Sequence, residues 1–307
     1  MKALFVCSGN KNTGISPIIK AQGESLIKAG VDIDFFPIYG KGLSSYIKHI
    51  FILKKYLRIN KFDCIHAHYS LSGYVAALAG SKPLVVSLMG SNITIVGLKK
   101  ILIYIFYFSK WNRIIVKSKT LANSLNFNRL DTLPNGVDFS VFKQIRKLDA
   151  ILKVGWDPKN INILFASDPH RKEKNFALAH KSVSMMNDEN IYLHYTTNVK
   201  HNDMLYYYNA ADILLLTSNN EGSPNVVKEA LACNCPVVAT DVGDVKEHLA
   251  NIEGCYVTSF SPEDIATKLK KALVYEGIVK SRDKINYLSS ENIARKLILI
   301  YQQVVSK

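Results

Sequence analysis

The segment from Thr217 to Gly243, TSNNEGSPNVVKEALACNCPVVATDVG, constrains the fold of this chain more than any other part of the sequence. The apolar run DILLLTS that leads into it predicts a buried strand of a parallel sheet, and PVVAT predicts the next strand. Between them, Ser223 is predicted to be a helix N-cap and Pro224 a first helical residue. The predicted helix continues from Asn225 to Ala232. This strand–helix–strand order predicts an open α/β sheet.

Two glutamates lie eight positions apart in this segment. Glu221 is on the loop that enters the predicted helix, and Glu229 is about one and a half turns inside it. The free N–H groups of a first helical turn bind anions, and an open α/β sheet binds phosphorylated ligands at the carboxyl ends of its strands. Carboxylates also accept hydrogen bonds from sugar hydroxyls. Each glutamate alone is typical of a solvated surface, but together they predict a site for a phosphorylated carbohydrate.

The segment EGSPNVVKE, followed by ALACNCPVVATDVGDVKE, resembles the E-x7-E signature of retaining glycosyltransferases of family 4. The resemblance implies the α/β GT-B fold, in which two Rossmann-like domains with doubly wound parallel sheets face each other across a cleft. It also implies that Glu221 contacts the transferred sugar and that Glu229 binds the ribose of the donor. One departure is Asn234, where the family usually has glycine between helix and strand.

The resemblance also predicts the domain organisation. Residues 1–146 would form an acceptor-binding domain, residues 147–286 a nucleotide-sugar-binding domain, and residues 287–307 a helix that crosses back to the first domain. The turn PNGVD, residues 134–138, is similar to the family sequence that marks the crossing between the domains, although by itself it indicates only a tight turn.

A cradle for the donor diphosphate is implied by several residues. The loop after the first predicted strand ends at Gly14 and leads into a helix predicted from about Ile15; it is neither a G-x-G-x-x-G motif nor a P-loop. Arg171 and Lys174 resemble the basic pair that holds the diphosphate in the family, and two cations there would offset the charge on the leaving group. The loop residues that complete this donor-binding cradle are Gly222, Ser223, Pro224 and Asn225.

Two further candidates for the acceptor side or the cleft follow predicted strands. In the run FDCIHAHYS, His66 and His68 share one face of a strand. The resemblance implies that His68 lines the cleft, whereas His66 is expected to be a buried structural histidine. After the next strand the family commonly has a histidine before Gly-x-Asp, but this chain has Met89 and Asn92 in place of the histidine and the acid. Asn92 keeps the capacity to hydrogen-bond a ligand.

The excess positive charge lies entirely in the first half of the chain. Residues 1–148 contain 21 Lys and Arg and 6 Asp and Glu, whereas residues 149–307 contain 18 and 19. Such a surface attracts nucleic acid, anionic lipid or an acidic acceptor. The basic segment Ser44–Ile59 and the apolar, aromatic segment Gly97–Trp111 are each compatible with a helix packed on the sheet or with a helix that rests on a membrane.

The remaining sequence features bear on the cellular compartment. Five scattered cysteines favour a reducing cytosol, and the start MKALFVCSGN predicts a buried strand instead of a secretory signal. The longest apolar run, Ile101–Phe108, is too short to span a bilayer. The predicted location is therefore cytoplasmic, peripheral at the inner face of the cell membrane.

The resemblance implies a metal-independent retaining glycosyltransferase without a cofactor that uses a UDP-sugar as donor. Together with the charge distribution, it predicts a polyprenyl-diphosphate-linked saccharide as acceptor, in surface polysaccharide assembly, and contact with anionic membrane. Two alternatives remain. Met89 and Asn92 suggest a nucleotide-sugar-binding protein without transfer activity, and the basic half suggests a nucleic-acid-binding protein. The second is disfavoured because the sequence has no helix-turn-helix, RNP or zinc-finger pattern.

Overall fold

A computed structural model describes residues 1–10, 14–40, 42–89, 97–125 and 127–306. The chain forms two compact units, each built on a sheet of parallel strands. One unit comprises Met1–Gly136 together with Ser290–Lys307, and the other comprises Val137–Ser289. The predicted α/β class with two parallel-sheet domains is confirmed.

The sheet of the first unit has seven strands in the described residues: β1 (Lys2–Asn10), β2 (Gly14–Ile15), β3 (Asp32–Ile38), β4 (Cys64–His68), β5 (Leu84–Leu88), β6 (Arg113–Val116) and β7 (Leu130–Thr132). Six of them run parallel in the order β3-β1-β4-β5-β6-β7, and β2 pairs antiparallel with β1. The chain leaves β1 for β3 on one side and returns to β4 on the other. The topological switch point of this sheet therefore lies between β1 and β4.

Helices cover both faces of this sheet. They are α1 (Pro17–Lys28), α2 (Leu43–Ile59), α3 (Ser70–Leu78), α4 (Leu98–Ser109), α5 (Lys119–Leu125) and, from the end of the chain, α13 (Ser290–Val305). Apolar side chains of α2, α3 and α4, such as Leu53, Val75 and Ile103, share one core with one face of the sheet. The other face packs against α1 and α13, with Leu26 and Leu297 in its core.

The second unit has a five-stranded parallel sheet in the order β12-β11-β10-β8-β9. Its strands are β8 (Ile161–Phe165), β9 (Ile191–Tyr195), β10 (Ile213–Leu216), β11 (Val237–Thr240) and β12 (Tyr256–Thr258). Its helices are α6 (Lys147–Val154), α7 (Phe176–Ser184), α8 (Met204–Ala210), α9 (Asn225–Ala232), α10 (Val245–Leu249), α11 (Pro262–Leu273) and α12 (Ser281–Lys284). The chain goes from β8 to β9 on one side and then to β10 on the other, so the switch point lies between β8 and β10.

The unit boundaries differ from the predicted ones by ten residues at the first crossing and three at the second. Phe142 is buried in the core of the second unit, which ties residues 137–146 to that unit. Arg282 adds to this attachment, because its guanidinium donates to the carbonyl oxygens of Phe139 and Phe142 at 2.7 and 2.6 Å. The predicted boundary at 146/147 missed these contacts because they join residues about 140 positions apart.

No helix in the described residues has both the length and the apolar character that crossing a membrane requires.

Candidate active site

The sheet order of the second unit brings the two most informative loops together. Lys174 follows β8 and Glu221 follows β10, and these two strands are neighbours at the switch point. Thr217 strengthens the junction, since its hydroxyl donates to the carbonyl oxygens of Lys174 and Asn175 at 3.1 and 3.0 Å. The crevice at the carboxyl ends of β8 and β10 is where an open α/β sheet binds a ligand.

Glu221 and Lys174 form an ion pair in this crevice. The Lys174 ammonium donates to Glu221 Oε1, and the Ser218 hydroxyl donates to the same oxygen at 2.9 Å. The side chains of Lys174 and Glu221 are 14% and 15% exposed, so the pair is sheltered but reachable from solvent. The geometry therefore places a carboxylate that can accept sugar hydroxyls next to a cation that can bind a phosphate.

Arg171 is the other member of the predicted basic pair. Its side chain pairs with Glu173, whereas Lys174 pairs with Glu221. It precedes a 3-10 turn, Lys172–Lys174, and its guanidinium donates to Glu173 Oε1 at 2.9 and 2.6 Å. Both side chains of this surface pair are 54% exposed. Exposed ion pairs of this type contribute little to stability, so Arg171 is free to exchange Glu173 for an anionic ligand.

Glu229 is the more deeply buried of the two glutamates, with 7% of its side chain exposed. His201 Nε2 lies 2.8 Å from its Oε1, and the Tyr208 hydroxyl donates to its Oε2 at 2.8 Å. The hydrogen bond to Glu229 raises the pKa of His201 above its usual value, against the effect of burial. Each carboxylate oxygen keeps a second lone pair for a ligand hydroxyl. Neither His201 nor Tyr208 was predicted, because no local spacing connects them to Glu229.

The loop between β10 and α9 differs from its prediction at Ser223 and at Pro224. The helix begins at Asn225 with Pro224 as its N-cap residue, and the Ser223 side chain does not cap it. The Ser223 Oγ instead accepts a hydrogen bond from Lys228 Nζ at 3.0 Å. The prediction of a Ser223 N-cap was wrong because the buried Lys228 takes the hydroxyl oxygen as its acceptor. At the helix start, the Asn225 Oδ1 is buried without a hydrogen-bond partner among the described residues.

Gly243 is a further residue of this loop region that the sequence did not single out. Its φ of +61° is in the left-handed region, and a Cβ there would lie 2.8 Å from the carbonyl oxygen of Glu221. The loop after β11 therefore packs directly on the backbone of Glu221 and Gly222. A glycine after a strand, followed by the Asp244 that starts the next helix, is the sequence signal that could have identified it.

Replacing Gly243 with alanine is expected to lower the free energy of unfolding by roughly 2 to 5 kcal/mol, because left-handed strain and steric overlap both oppose the new methyl group. Nucleotide binding should weaken as well. The matched control is Gly155→Ala, where φ is +74° but nothing lies within 4 Å of the added Cβ. Chemical denaturation of both variants measures the difference, and equal losses would show that packing on the Glu221 backbone does not matter.

Asn234, where the resembled family usually has glycine, adopts φ of +57° after α9. Asn tolerates this left-handed conformation better than most residues do. Its Oδ1 also accepts a hydrogen bond from the Arg282 backbone N–H at 3.0 Å. The departure from the family pattern therefore keeps the turn and adds a contact to α12.

Gly14 lies in the first unit near the switch point of its own sheet. It pairs with Asn10 in the β1–β2 ladder and has φ of +69°. The predicted helix start at Ile15 was wrong, since α1 begins at Pro17 and Ile15 belongs to β2. Residues 11–13 of this loop lie outside the described residues.

The two histidines of β4 differ in their contacts. His66 is fixed by Tyr301 of α13, whose hydroxyl lies 2.6 Å from Nδ1, and by Ser87, whose hydroxyl lies 2.8 Å from Nε2. His68 is buried, and neither ring nitrogen has a hydrogen-bond partner among the described residues. Burial, with the nearby charge of Lys117, lowers the pKa of His68 to about 3. His68 is therefore a neutral imidazole at the carboxyl end of its strand. The predicted candidate Asn92 lies outside the described residues.

In the parts of the chain that the structure describes, no group of three or more His, Cys, Asp or Glu side chains is arranged to hold a metal ion.

The fold is that of the GT-B glycosyltransferases. The structure matches sucrose-phosphate synthase from Thermosynechococcus elongatus with a TM-score of 0.80 at 16% identity, over 99% of each chain. It matches Anabaena HepE in complex with UDP and glucose with a TM-score of 0.73 at 12% identity, over 99% of this chain and 100% of that chain.

Sequence comparison finds similarity to glycosyltransferase families in both parts of the chain. A model described as "Glycosyl transferase 4-like" matches residues 12–118, and one described as "Glycosyl transferases group 1" matches residues 144–274. An uncharacterized glycosyltransferase from Methanocaldococcus jannaschii is 26% identical over 262 residues, which cover 78% of this chain and 74% of that protein. The N-terminal part of the chain is therefore similar to the family 4-like glycosyltransferases, and the C-terminal part is similar to the group 1 glycosyltransferases.

Proposed function

We propose that this protein is a retaining glycosyltransferase that moves the sugar of a UDP-sugar to a polyprenyl-diphosphate-linked saccharide, in surface polysaccharide assembly at the cytoplasmic face of the cell membrane. The observation that carries the proposal is the ion pair of Lys174 and Glu221 at the switch point of the second sheet, with Glu229 on the following helix. HepE, whose structures contain UDP and UDP-glucose, supports a uridine nucleotide.

Each polar group of the crevice has a role in this proposal. Glu221 accepts hydrogen bonds from hydroxyls of the transferred sugar, and Glu229 accepts them from the ribose. The diphosphate is held by Lys174 and Arg171 and by the N–H groups at the start of α9, where the helix dipole favours negative charge. The nucleotide-sugar is a substrate, and the proposed reaction uses no resident metal or cofactor.

The proposed transfer takes place on one face of the sugar ring. The bond between the anomeric carbon and the diphosphate oxygen breaks, and the electron pair leaves with UDP. The acceptor hydroxyl oxygen bonds to the anomeric carbon from the same face, and its proton passes to the departing diphosphate oxygen. Lys174 and Arg171 stabilise the charge that develops on the diphosphate, which is the step where fixed cations lower the barrier most.

Nucleotide binding followed by product analysis tests this function. We expect UDP to raise the melting temperature more than ADP or GDP does. With a UDP-sugar and a polyprenyl-diphosphate-linked monosaccharide, NMR should show a product with the anomeric configuration of the donor. Binding without transfer would instead indicate a nucleotide-sugar-binding protein, which the methionine at position 89 motivates. An inverted product would exclude the retaining mechanism.

Helices α2, α3 and α4 form an outward face that we propose as the membrane-binding surface and call the α2–α4 face. These three helices share one core beneath, yet each also carries large apolar side chains that are exposed. Helices that are apolar on both sides are typical of complete burial. The exposed residues of the α2–α4 face are Leu43, Ile47, Phe51, Ile52, Ile59, Leu71, Leu78, Leu98, Ile101, Ile105 and Phe108.

The charge of this part of the chain supports an anionic bilayer as the proposed partner of this face. Residues 39–112 contain ten Lys and Arg but a single acidic residue, Asp63. The carboxylate of Asp63 accepts a hydrogen bond from the backbone of Lys2 at 2.7 Å. Lysines beside exposed apolar side chains are typical of helices that lie at the boundary between lipid headgroups and acyl chains. Each basic residue there contributes about 1 kcal/mol to the free energy of binding to an anionic membrane. Such a surface would bring the enzyme to a lipid-linked acceptor.

Replacing Phe51 and Phe108 together with serine is expected to lower binding to anionic vesicles by at least roughly tenfold, because each exposed ring contributes apolar area to the membrane contact. The two rings are 70% and 72% exposed, so the fold should tolerate the change. Flotation with phosphatidylglycerol-containing and pure phosphatidylcholine vesicles measures it, and high salt should weaken wild-type binding.

The matched control is Val274→Ser with Ile278→Ser, which removes two equally exposed apolar side chains from the second unit and should leave flotation unchanged. If wild-type protein shows no preference for anionic over neutral vesicles at low salt, the membrane proposal fails. Salt-sensitive binding to RNA or DNA without vesicle binding would favour the nucleic-acid alternative.

A further inference from the structure

Lys228 is a buried cation at the candidate donor site, and the steps of the proposed reaction given above assign it no role. It lies on α9 next to Glu229, and its exposure is 0%. Lysine is almost never fully buried unless the ammonium has polar partners. Its Nζ lies 3.0 Å from the Ser223 Oγ, so the side chain reaches back toward the start of its own helix. The positive charge is therefore held beneath the loop that carries Glu221 to Pro224.

Two carboxylates, those of Asp244 and Glu229, act electrostatically on this ammonium. Burial lowers the pKa of Lys228 to about 8, against the raising effects of Asp244 and Glu229. Asp244 lies 2.8 Å from His248 Nε2, and Glu229 is engaged by its two partners described above. His248 in turn lies 2.9 Å from the Tyr287 hydroxyl through Nδ1. The lysine is charged at neutral pH.

The direction of the bond between Lys228 and Ser223 follows from the chemistry of the ammonium. A protonated lysine only donates hydrogen bonds, so the serine oxygen must accept. The single hydroxyl proton of Ser223 is then available to donate to another group. Ser223 is half-buried at the start of α9, where anions are favoured. A bond from a cation to its oxygen also strengthens a hydroxyl as a donor.

We propose that Lys228 is a positioning residue that turns the Ser223 hydroxyl toward the diphosphate of the bound nucleotide as a hydrogen-bond donor. This inference rests on the proposed function, because it needs a nucleotide in the crevice. When Lys228 loses its proton, its neutral amine has a lone pair and accepts the Ser223 proton. The hydroxyl then turns inward and the diphosphate loses a donor, so nucleotide affinity depends on the charge of a residue that the nucleotide does not touch.

Calorimetric measurement of UDP affinity between about pH 7.5 and 9.5 tests the inference, since phosphate, with a second pKa near 6, is ionised throughout this range. We expect wild-type affinity to fall roughly tenfold across the range, which is the usual value of one hydrogen bond to a charged group. Ser223→Ala should bind UDP about tenfold more weakly at the lower pH and show no further loss as the pH rises. Lys228→Met should behave in the same way, and the double variant should be no weaker than either single variant.

A stability measurement separates this role from a purely structural one. The folded state has the lowered pKa, so above about pH 8 the unfolded chain binds the extra proton and folding becomes more favourable. Wild-type stability should therefore rise with pH relative to Lys228→Met while its UDP affinity falls. Ser223→Ala keeps the lysine and tests the inference even if Lys228→Met does not fold.

The outcomes are distinguishable from failure of the proposed function. If UDP does not bind at any pH, the proposed function itself fails. If UDP binds with an affinity that is independent of pH, or if Ser223→Ala keeps the pH dependence of the wild type, the inference about Lys228 is overturned and the proposed function stands. Additive losses in the double variant would also overturn it, because they would show that the two residues act separately.

Discussion

Replacing Glu221 with glutamine is expected to lower kcat/KM for sugar transfer by roughly 100- to 1,000-fold, which corresponds to about 3 to 4 kcal/mol of transition-state stabilisation. Glutamine keeps the size and one acceptor oxygen, so Ser218 can still donate to it, but the negative charge beside Lys174 is lost. In the proposed reaction positive charge develops on the sugar, and a neutral amide stabilises it less well. Steady-state kinetics with a UDP-sugar measures the effect.

Affinity for UDP provides the internal control for this variant. Glu221 is proposed to contact the sugar and not the nucleotide, so the dissociation constant for UDP should change less than threefold, or about 0.6 kcal/mol. Glu276→Gln, which changes an exposed carboxylate in the same unit, should leave both quantities unchanged. Full transfer activity in Glu221→Gln would remove Glu221 from the chemistry and leave the E-x7-E resemblance without functional meaning in this chain.

Local patterns predicted the architecture of the second unit well. The runs DILLLTS and PVVAT became β10 and β11, because strands covered by helices on both faces are continuously apolar. The predicted helix, with Pro224 as its first residue, ends at Ala232 as α9 does and begins one residue earlier than α9, which starts at Asn225. In a doubly wound sheet the strands β8 and β10 are neighbours, and the loops that follow them bring Lys174 close to Glu221.

Contacts between distant parts of the chain could not be predicted in this way. Glu229 is held by His201 and Tyr208, which lie 28 and 21 positions away, and no periodicity connects them. Lys228 illustrates a second limit. A lysine on a helix is usually solvated, so its burial and its bond to Ser223 follow only from how α9 packs. The predicted N-cap was wrong for that reason.

The basic pair shows a third limit, because spacing alone does not say which cation is sheltered. Arg171 and Lys174 are three positions apart and resemble one motif, yet the 3-10 turn Lys172–Lys174 separates their surroundings. Lys174 is 14% exposed and bound to Glu221, whereas Arg171 is 54% exposed and bound to its neighbour Glu173. Their predicted contributions to the reaction are therefore unequal.

Replacing Lys174 with methionine is expected to lower kcat by roughly 100- to 1,000-fold and to weaken UDP binding at least tenfold, because the variant loses the sheltered cation nearest the proposed diphosphate position. Electrostatic stabilisation is stronger where water is excluded, which favours Lys174 over an exposed cation. The variant also leaves the carboxylate of Glu221 without its ammonium partner. Steady-state kinetics with a UDP-sugar measures the loss of kcat, and calorimetry with UDP measures the loss of affinity.

Arg171→Met is the matched comparison, since it removes the other cation of the pair from the same loop. Arg171 must leave Glu173 to reach a diphosphate, and its exposed charge is screened by solvent, so its loss should cost roughly tenfold or less in kcat. The ratio of the two effects, measured under saturating UDP-sugar, distinguishes a sheltered cation from a solvated one. Equal effects would mean that Arg171 moves into the crevice when the donor binds, and a larger effect for Arg171 would contradict the assignment of Lys174 as the principal cation for the leaving group.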